Sequence, residues 1–387
     1  MQNLLVLHIM VPRNLPPIQN PQSKIQNRGP HRRTVAAVLV AALICALLTG
    51  CGGKRVSQPG SQTSWWRTYF TEPGANSGTI VKTLVSSINS AKTSIHIAAF
   101  EFNLTPVADA LVAAKKRGVD VKWVTDDEHG LKADTEKGRG QFALLKQAGI
   151  PLKDDGRRAL MHNKFIVFDG KIVWTGSTNL TVNDTERNNN NVIVFESPQV
   201  ANIFERQFAE LWGGSFDSKS PSEVEAQKVT VSGTPVQVLF SPEDDVASRL
   251  LPVIQGAKRS IRFMAFSFTD DNLGAAIKSR AKAGVDVKGI FETRGSETQY
   301  SELPVLFCAK VPVRQDGNPG TFHHKVFVID SSTVITGSYN FSSNADKSNS
   351  ENAVILTNPA IATEYTKEFE RRWAEAKEPA AAKMKCR

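Results

Sequence analysis

His162-Asn163-Lys164-Phe165-Ile166-Val167-Phe168-Asp169, followed by Gly176-Ser177-Thr178-Asn179, recurs as His323-His324-Lys325-Val326-Phe327-Val328-Ile329-Asp330 and Gly337-Ser338-Tyr339-Asn340. Both stretches read H-x-K-x4-D-x6-G-S-x-N. Six fixed residue types at fixed spacing arise from composition alone at roughly one start position in 10⁸, so two copies in register are not accidental. In a strand, His and Lys at i and i+2 point to one face, which aims an imidazole and an ammonium at one anion. The run between Lys and Asp is wholly apolar and suits a strand buried on both faces. Gly-Ser-x-Asn follows the next strand, where a turn can present a hydroxyl and an amide NH₂ as donors.

The repeat extends outward from the motifs. Ala91-Lys92-Thr93-Ser94-Ile95 recurs as Ala257-Lys258-Arg259-Ser260-Ile261, and Gly118-Val119-Asp120-Val121-Lys122 as Gly284-Val285-Asp286-Val287-Lys288, both at an offset of 166. His162/His323 and Trp212/Trp373 keep an offset of 161, so the second copy is five residues shorter before its motif. Repeats this long are related lobes, since solenoid periods are much shorter. Each copy reads as a strand (95–102; 261–268), a helix (106–117; 271–283) stopped by Gly118 or Gly284, and a second strand (119–125; 285–291). Two strands then flank a turn (164–168 and 172–175; 325–329 and 334–336), and a further strand (192–195; 353–356) precedes a closing helix. Alternating strands and helices predict an α/β fold of two tandem lobes, each a mixed sheet flanked by helices. The expected boundaries are a leader over 1–50, a tether over 51–78, lobes over 79–212 and 229–376, a linker over 213–228, and a tail over 377–387 with no assigned role. The longer, polar 126–142 segment is expected as a surface loop near the site.

A pseudo-twofold pairing of the lobes would bring both motifs to one cleft. Two lysines and two Asn amides can then hold a phosphate's non-bridging oxygens through an in-line displacement. Two imidazoles supply a nucleophile and a general acid. No other cluster offers metal ligands at usual spacings, so neither metal nor cofactor is expected. His129 is expected to be solvated, His96 satisfied structurally, and His324 turned away from the site. Trp65-Trp66 reads as a packed lobe edge more readily than as a membrane-interface anchor.

These motifs resemble the phospholipase D superfamily, whose hallmark is H-x-K-x4-D, over about residues 79–376. The superfamily includes phospholipases D, cardiolipin and phosphatidylserine synthases, non-specific endonucleases and a DNA-repair phosphodiesterase. The resemblance implies a ping-pong phosphodiester exchange with His162 as nucleophile and His323 as general acid and base. It implies phosphate binding by Lys164, Lys325, Asn179 and Asn340, with the Ser177 and Ser338 hydroxyls beside them. Asp169 and Asp330 complete the motif and are expected to hold the motif strands and lysines. The family places an acidic residue after each motif to orient a histidine. Glu351 fits that role and is expected to reach His162 across the lobe interface. Its counterpart is Asn190, which leaves His323 without a full carboxylate partner; Glu186 could substitute, at a different spacing. The implied substrate is a phospholipid at a membrane surface. Nucleic acid and a cardiolipin synthase-like transfer are the alternatives. Both motifs in one chain imply a monomer.

Composition sharpens this reading. The 387 residues carry 47 Lys+Arg against 38 Asp+Glu, a formal charge of +9, and 41% are hydrophobic. That excludes a disordered, collagen-like or coiled-coil chain. The first fifty residues hold Arg13, Lys24, Arg28, Arg32 and Arg33 and no acid, then an apolar run from Val35 to Leu48 ending at Cys51. This describes an export signal with a lipobox-like end. It predicts lipidation of Cys51 and an exported protein facing the periplasm or exterior, with the outer membrane favoured because Gly52 is not Asp. Removal of the leader leaves 42 basic against 38 acidic residues, or +4, so composition no longer suggests a general nucleic-acid surface. An oxidising compartment permits a Cys308–Cys386 bridge, with two free thiols equally open.

Overall fold

The computed structural model describes residues 64–75, 78–216, 220–225 and 227–386. The leader, Cys45 and Cys51 lie outside the described residues, and so do parts of the linker. Seven strands form the first sheet: β1 (Trp66–Phe70), β2 (Ser94–Ala99), β3 (Asp120–Thr125), β4 (Leu152–Asp154), β5 (Lys164–Phe168), β6 (Ile172–Gly176) and β7 (Asn191–Glu196), in the order β1-β7-β6-β5-β2-β3-β4. Its helices are α1 (Thr79–Ser90), α2 (Thr105–Lys116), α3 (Gln141–Gln147), α4 (Val182–Glu186) and α5 (Pro198–Gly213). The second sheet holds β8 (Lys228–Val231), β9 (Thr234–Ser241), β10 (Ser260–Ala265), β11 (Asp286–Phe291), β12 (Val313–Gln315), β13 (Lys325–Ile329), β14 (Thr333–Gly337) and β15 (Glu351–Thr357). It runs β12-β11-β10-β13-β14-β15-β9-β8. Its helices are α6 (Val246–Gln255), α7 (Asp271–Lys282), α8 (Glu302–Cys308), α9 (Ser343–Lys347) and α10 (Pro359–Glu375). The chain is thus two tandem α/β lobes of the same topology.

Both sheets are mixed for a local reason. β2 and β3 are parallel because α2 carries the chain across between them, whereas β5, β6 and β7 are antiparallel neighbours, β5 and β6 joined by a tight turn and β6 and β7 by the segment that holds α4. The motif strands β5 and β13 are buried at every position, which explains their unbroken apolar run. The closing helices begin in one way: Ser197 caps α5 ahead of Pro198, and Asn358 caps α10 ahead of Pro359. These two helices lie in a core shared by the lobes. Phe165, Ile193 and Phe195 of the first sheet and Val326, Val354 and Leu356 of the second join Phe204 and Phe208 of α5 and Tyr365 and Phe369 of α10 there. Two further cores fill the outer faces under α1–α3 and α6–α8. Among the described residues no helix is long and apolar enough to cross a membrane.

Three expectations change. The stretch read as tether contains β1, which pairs with β7, and Arg372 of α10 donates to Thr71 O just beyond it. The opening strands end early, at Ala99 and Ala265, because Phe100 and Phe266 leave the sheet toward the cleft. The tail is fastened: Lys377 bridges to Gln315, and Cys386 forms a disulfide with Cys308 at a Cα separation of 5.4 Å. Trp65 stacks on Phe195 at 5.9 Å, so it packs on the lobe.

Candidate active site

The two motifs meet where the lobes join. Met161 forms a bridge with Ser350, and Asn189 forms the equivalent bridge with Phe322. Each motif histidine therefore enters the cleft beside backbone from the opposite lobe. His162 N donates to Ser350 O and His323 N to Asn189 O, both at 2.9 Å. Deeper in the interface Asn352 donates to Thr175 Oγ1 at 2.9 Å, and Thr336 Oγ1 donates to Asn191 Oδ1 at 2.7 Å. These pairs are images of one another under a pseudo-twofold axis.

The side-chain partners of the histidines also cross the interface, and they differ. His162 Nδ1 lies 2.7 Å from Glu351 Oε2. A carboxylate only accepts, so Nδ1 carries the proton and Nε2 keeps its lone pair. His323 Nδ1 lies 2.9 Å from Asn190 Oδ1. Asn190 is oriented by its own bonds, with Nδ2 donating to Asp184 O and Oδ1 accepting from Ser177 Oγ. Asp184 Oδ2 stands 3.8 Å from His323 Nδ1. The carboxylate set beside His323 is thus Asp184, in place of Glu186. Its sequence signal is weak: it sits three residues after Thr181, which caps α4, and Ala345 takes its place in the second copy.

Lys164 Nζ donates to His162 O and Lys325 Nζ to His323 O, both at 2.8 Å. The i, i+2 spacing thus places each ammonium directly beneath its histidine. Burial holds the Lys164 ammonium down at about 8 against the pull of Glu351 and Asp184. Burial and the charge of Lys164 push Lys325 well below its ordinary value. The histidines are pushed the same way, well below the usual range, by burial and then by the two lysines. Both shifts favour the neutral imidazole. Burial lifts the Glu351 carboxyl to about 7, opposed by Lys164. An anionic phosphodiester entering this cleft would offset the lysine charges and ease protonation of an imidazole.

An aromatic pair that sequence reading left inside strands completes the walls. Phe100 meets His162 edge-on at 4.8 Å, and Phe266 meets His323 at 4.9 Å. Each ring also lies under its lysine, 5.1 Å from Lys164 Nζ and 4.7 Å from Lys325 Nζ. The 126–142 segment does border the site, though as a π-helical turn (Asp127–Lys132), a 3₁₀ turn (Ala133–Thr135) and α3. His129 is exposed there, with its ring 4.8 Å from Phe100. The carboxylates of Asp126, Asp127 and Asp155 lie close together nearby. Protein donors already engage all three: Asp126 accepts from His129 N and Met161 N, Asp127 from Lys132 Nζ, and Asp155 from Asp127 N and Arg157 Nε.

Other assigned residues sit differently from expectation. Ser177 and Ser338 are fully buried, and their hydroxyls are committed to protein partners. Ser177 Oγ holds Asn190 and accepts from Asn191 N; Ser338 Oγ accepts from Asn352 N and bonds Glu351. The cause is the preceding glycine. Gly176 and Gly337 have φ of 144° and 145°, and a Cβ there would lie 2.3 and 2.2 Å from the carbonyls of Asn191 and Asn352. That close approach turns each serine toward its histidine's partner. Asp169 and Asp330 are not in the cleft and do not touch the lysine ammoniums. Each sits at a positive φ after its motif strand and accepts from three successive backbone N–H groups, Lys92–Ser94 or Lys258–Ser260. They pin the start of the neighbouring strand. Asn179 and Asn340 each carry a buried side-chain oxygen lacking a partner, and Asn179 N donates to Asp184 Oδ2 beside His323. His324 points away, between Asn191 Nδ2 at 3.0 Å and Glu368 at 3.2 Å, and His96 is held by Glu205.

Comparison with known proteins agrees with this geometry. The family model described as "Cardiolipin synthase, PLD-like domain" matches residues 84–212 and 250–373. A mitochondrial cardiolipin hydrolase from Xenopus laevis is 37% identical over 132 residues, 34% of this chain and 63% of the relative. The chain thus spans a little under two thirds of that relative. A phospholipase D from Rickettsia bellii is 33% identical over 135 residues, 35% of this chain and 67% of the relative. The crystal structure of a phosphatidylserine synthase from Haemophilus influenzae superposes with a TM-score of 0.60 over 80% of this chain and 87% of that one, at 14% identity. That likeness is one of fold.

Proposed function

Because the chain belongs to the phospholipase D superfamily, carrying its PLD-like domain in both lobes, we propose that it is a phosphodiesterase that hydrolyses phospholipid head-group esters through a phosphohistidine. The observation that carries this reading is the crossed pairing of the histidines. Each has Nδ1 tied to the opposite lobe, which leaves both Nε2 atoms for the substrate, with a buried lysine beside each. Lys164, Lys325, Asn179 and Asn340 hold the phosphate's non-bridging oxygens. His162 Nε2 attacks phosphorus, the P–O bond to the leaving alcohol breaks, and that oxygen takes a proton from the His323 imidazolium. Water then attacks phosphorus, His323 takes its proton, and the P–N bond breaks. Glu351 stabilises the positive charge that His162 acquires as it bonds to phosphorus. Asp184 supports the proton on His323. Assigning the nucleophile to His162 rests on its full carboxylate partner.

The lipid substrate is supported by the names of the relatives, cardiolipin hydrolase and phospholipase D. Export and lipidation at Cys51 are supported by the leader's charge pattern, and the Cys308–Cys386 bridge suits an oxidising compartment. One chain supplies the whole cleft, in keeping with a monomer.

The test offers the purified protein phosphatidylglycerol or phosphatidylcholine micelles beside plasmid DNA, all with chelator. Glycerol or choline release without nicking is expected. Nicking without head-group release would replace the lipid reading with a nuclease. Phosphopeptide mapping during turnover should find the label on His162; label on His323 would reverse the assignment.

A further inference from the structure

A second cationic surface lies outside the cleft. Between α7 and α8 runs a groove of about 780 Å³, lined among others by Lys278, Lys282, Lys385, Tyr300, Val305 and Cys308. Its acidic member, Glu297, is already held by Lys383 at 2.8 Å. At its rim Tyr300 is 72% and Val305 40% exposed. Scattered apolar residues on a surface mean little alone, but here they stand among three ammonium groups. From this combination we infer that the groove is a docking site for an anionic lipid bilayer. Lysines meet lipid phosphates, and a tyrosine ring is at home at headgroup depth.

Two features of the fold support this occupant. The first is the tail, for which the sequence offered no role. Cys386 is bonded to Cys308 at the C-terminal end of α8, and this bond delivers Lys385 to the groove. Met384, buried in the core under α6–α8, and Lys383, paired with Glu297, fasten the same stretch from the other side, so Lys385 is held between two anchors. The second is position. The segment that forms the rim leaves β11 at Glu292, whose carboxylate accepts from Phe322 N next to His323, and it re-enters the lobe where Glu302 N donates to Phe268 O. Groove and cleft are thus joined by one short stretch of chain. The pseudo-twofold adds a match in the first lobe. Leu144 is the fourth residue of α3, as Val305 is of α8, and it is 42% exposed.

Docking deepens the lipid reading above and rests on it in part, so its test is read without turnover. Amide exchange over residues 297–309 of the full-length protein is followed with phosphatidylglycerol vesicles and with phosphatidylcholine vesicles. Slower exchange is expected with the anionic vesicles alone. In the Lys282→Ala/Lys385→Ala protein the vesicle concentration giving half protection should rise roughly 25-fold, at about fivefold per lysine. Turnover of a soluble short-chain phosphodiester should be unchanged. Cys386→Ser should weaken protection by no more than about fivefold, through Lys385 alone, because Met384 and Lys383 still fasten the tail. Absence of protection, equal protection by neutral vesicles, indifference to the lysines, or protection by duplex DNA instead would each overturn the inference. Protection without lipid hydrolysis would leave docking standing and remove the proposed substrate; hydrolysis without protection would do the reverse.

Discussion

Replacing Glu351 by Gln tests the asymmetry of the two histidines. The change keeps the shape of the side chain and makes the partner of His162 a neutral amide, as Asn190 already is for His323. A hydrogen bond to a charged group contributes about 1.5–3 kcal/mol. In this cleft that contribution grows as His162 bonds to phosphorus and becomes cationic. Losing it should lower kcat roughly 10- to 150-fold, with KM within about threefold because Glu351 does not touch the phosphate. Stability should barely move. The carboxylate is fully buried, and burial already lifts it to about 7, so a neutral side chain there relieves a desolvation cost. A melting temperature within about 3 °C of the parent is expected. The assay is steady-state and burst kinetics on a soluble chromogenic phosphodiester, with thermal melts on the same samples. A kcat within twofold of the parent would refute the role of Glu351. A rise in KM alone would make it a binding group.

The complementary change, Asn190→Asp, adds a carboxylate beside His323 and opposes the burial and lysine charges that now lower its pKa. His323 should keep its proton to higher pH, so the alkaline limb of the kcat profile should move up; an unmoved limb would mean another group is the acid. Ser338→Ala should lower kcat about three- to tenfold with KM unchanged, since the hydroxyl holds Glu351 and Asn352. A raised KM with full kcat would return Ser338 to the phosphate. Asp330→Asn should leave kcat intact and cost about 1–2 kcal/mol of stability in denaturant titration, because three backbone donors lose a charged acceptor. Those bonds hold the native Asp330 pKa below its unfolded value. Its contribution is therefore fully present above the unfolded pKa and fades as pH falls through the native one, so parent and variant should converge in acid.

The strands, the lobes and the four histidine and lysine positions were legible because they follow from spacing. A period of two puts His and Lys on one side, and the apolar run between Lys and Asp can only be interior. What spacing does not encode is the direction of a side chain after a turn. Ser177 looked like a phosphate donor because it follows a strand end, but the contact of Gly176 with Asn191 rotates it inward. Asp169 belongs to the same motif as His162, yet five residues of strand carry it to the far end, where it meets Lys92–Ser94. Asp184 escaped notice because the repeat offers no counterpart. Phe100 and Phe266 were hidden by the strand pattern around them. β1 is a five-residue edge strand before α1, and its small alternation was lost against a polar flank.

Each histidine takes its orientation from the lobe it does not belong to, and this gives the molecule a logic of coincidence. A lobe standing alone would keep its lysine, its glycine turn and its Asp-pinned strand, but its imidazole would turn freely, without the partner that sets which nitrogen is bare. Parting the lobes by a few ångströms would disarm both centres together, with no residue altered and no segment unfolded. Chemistry in this cleft is therefore a report on assembly: it runs only while the two halves hold each other.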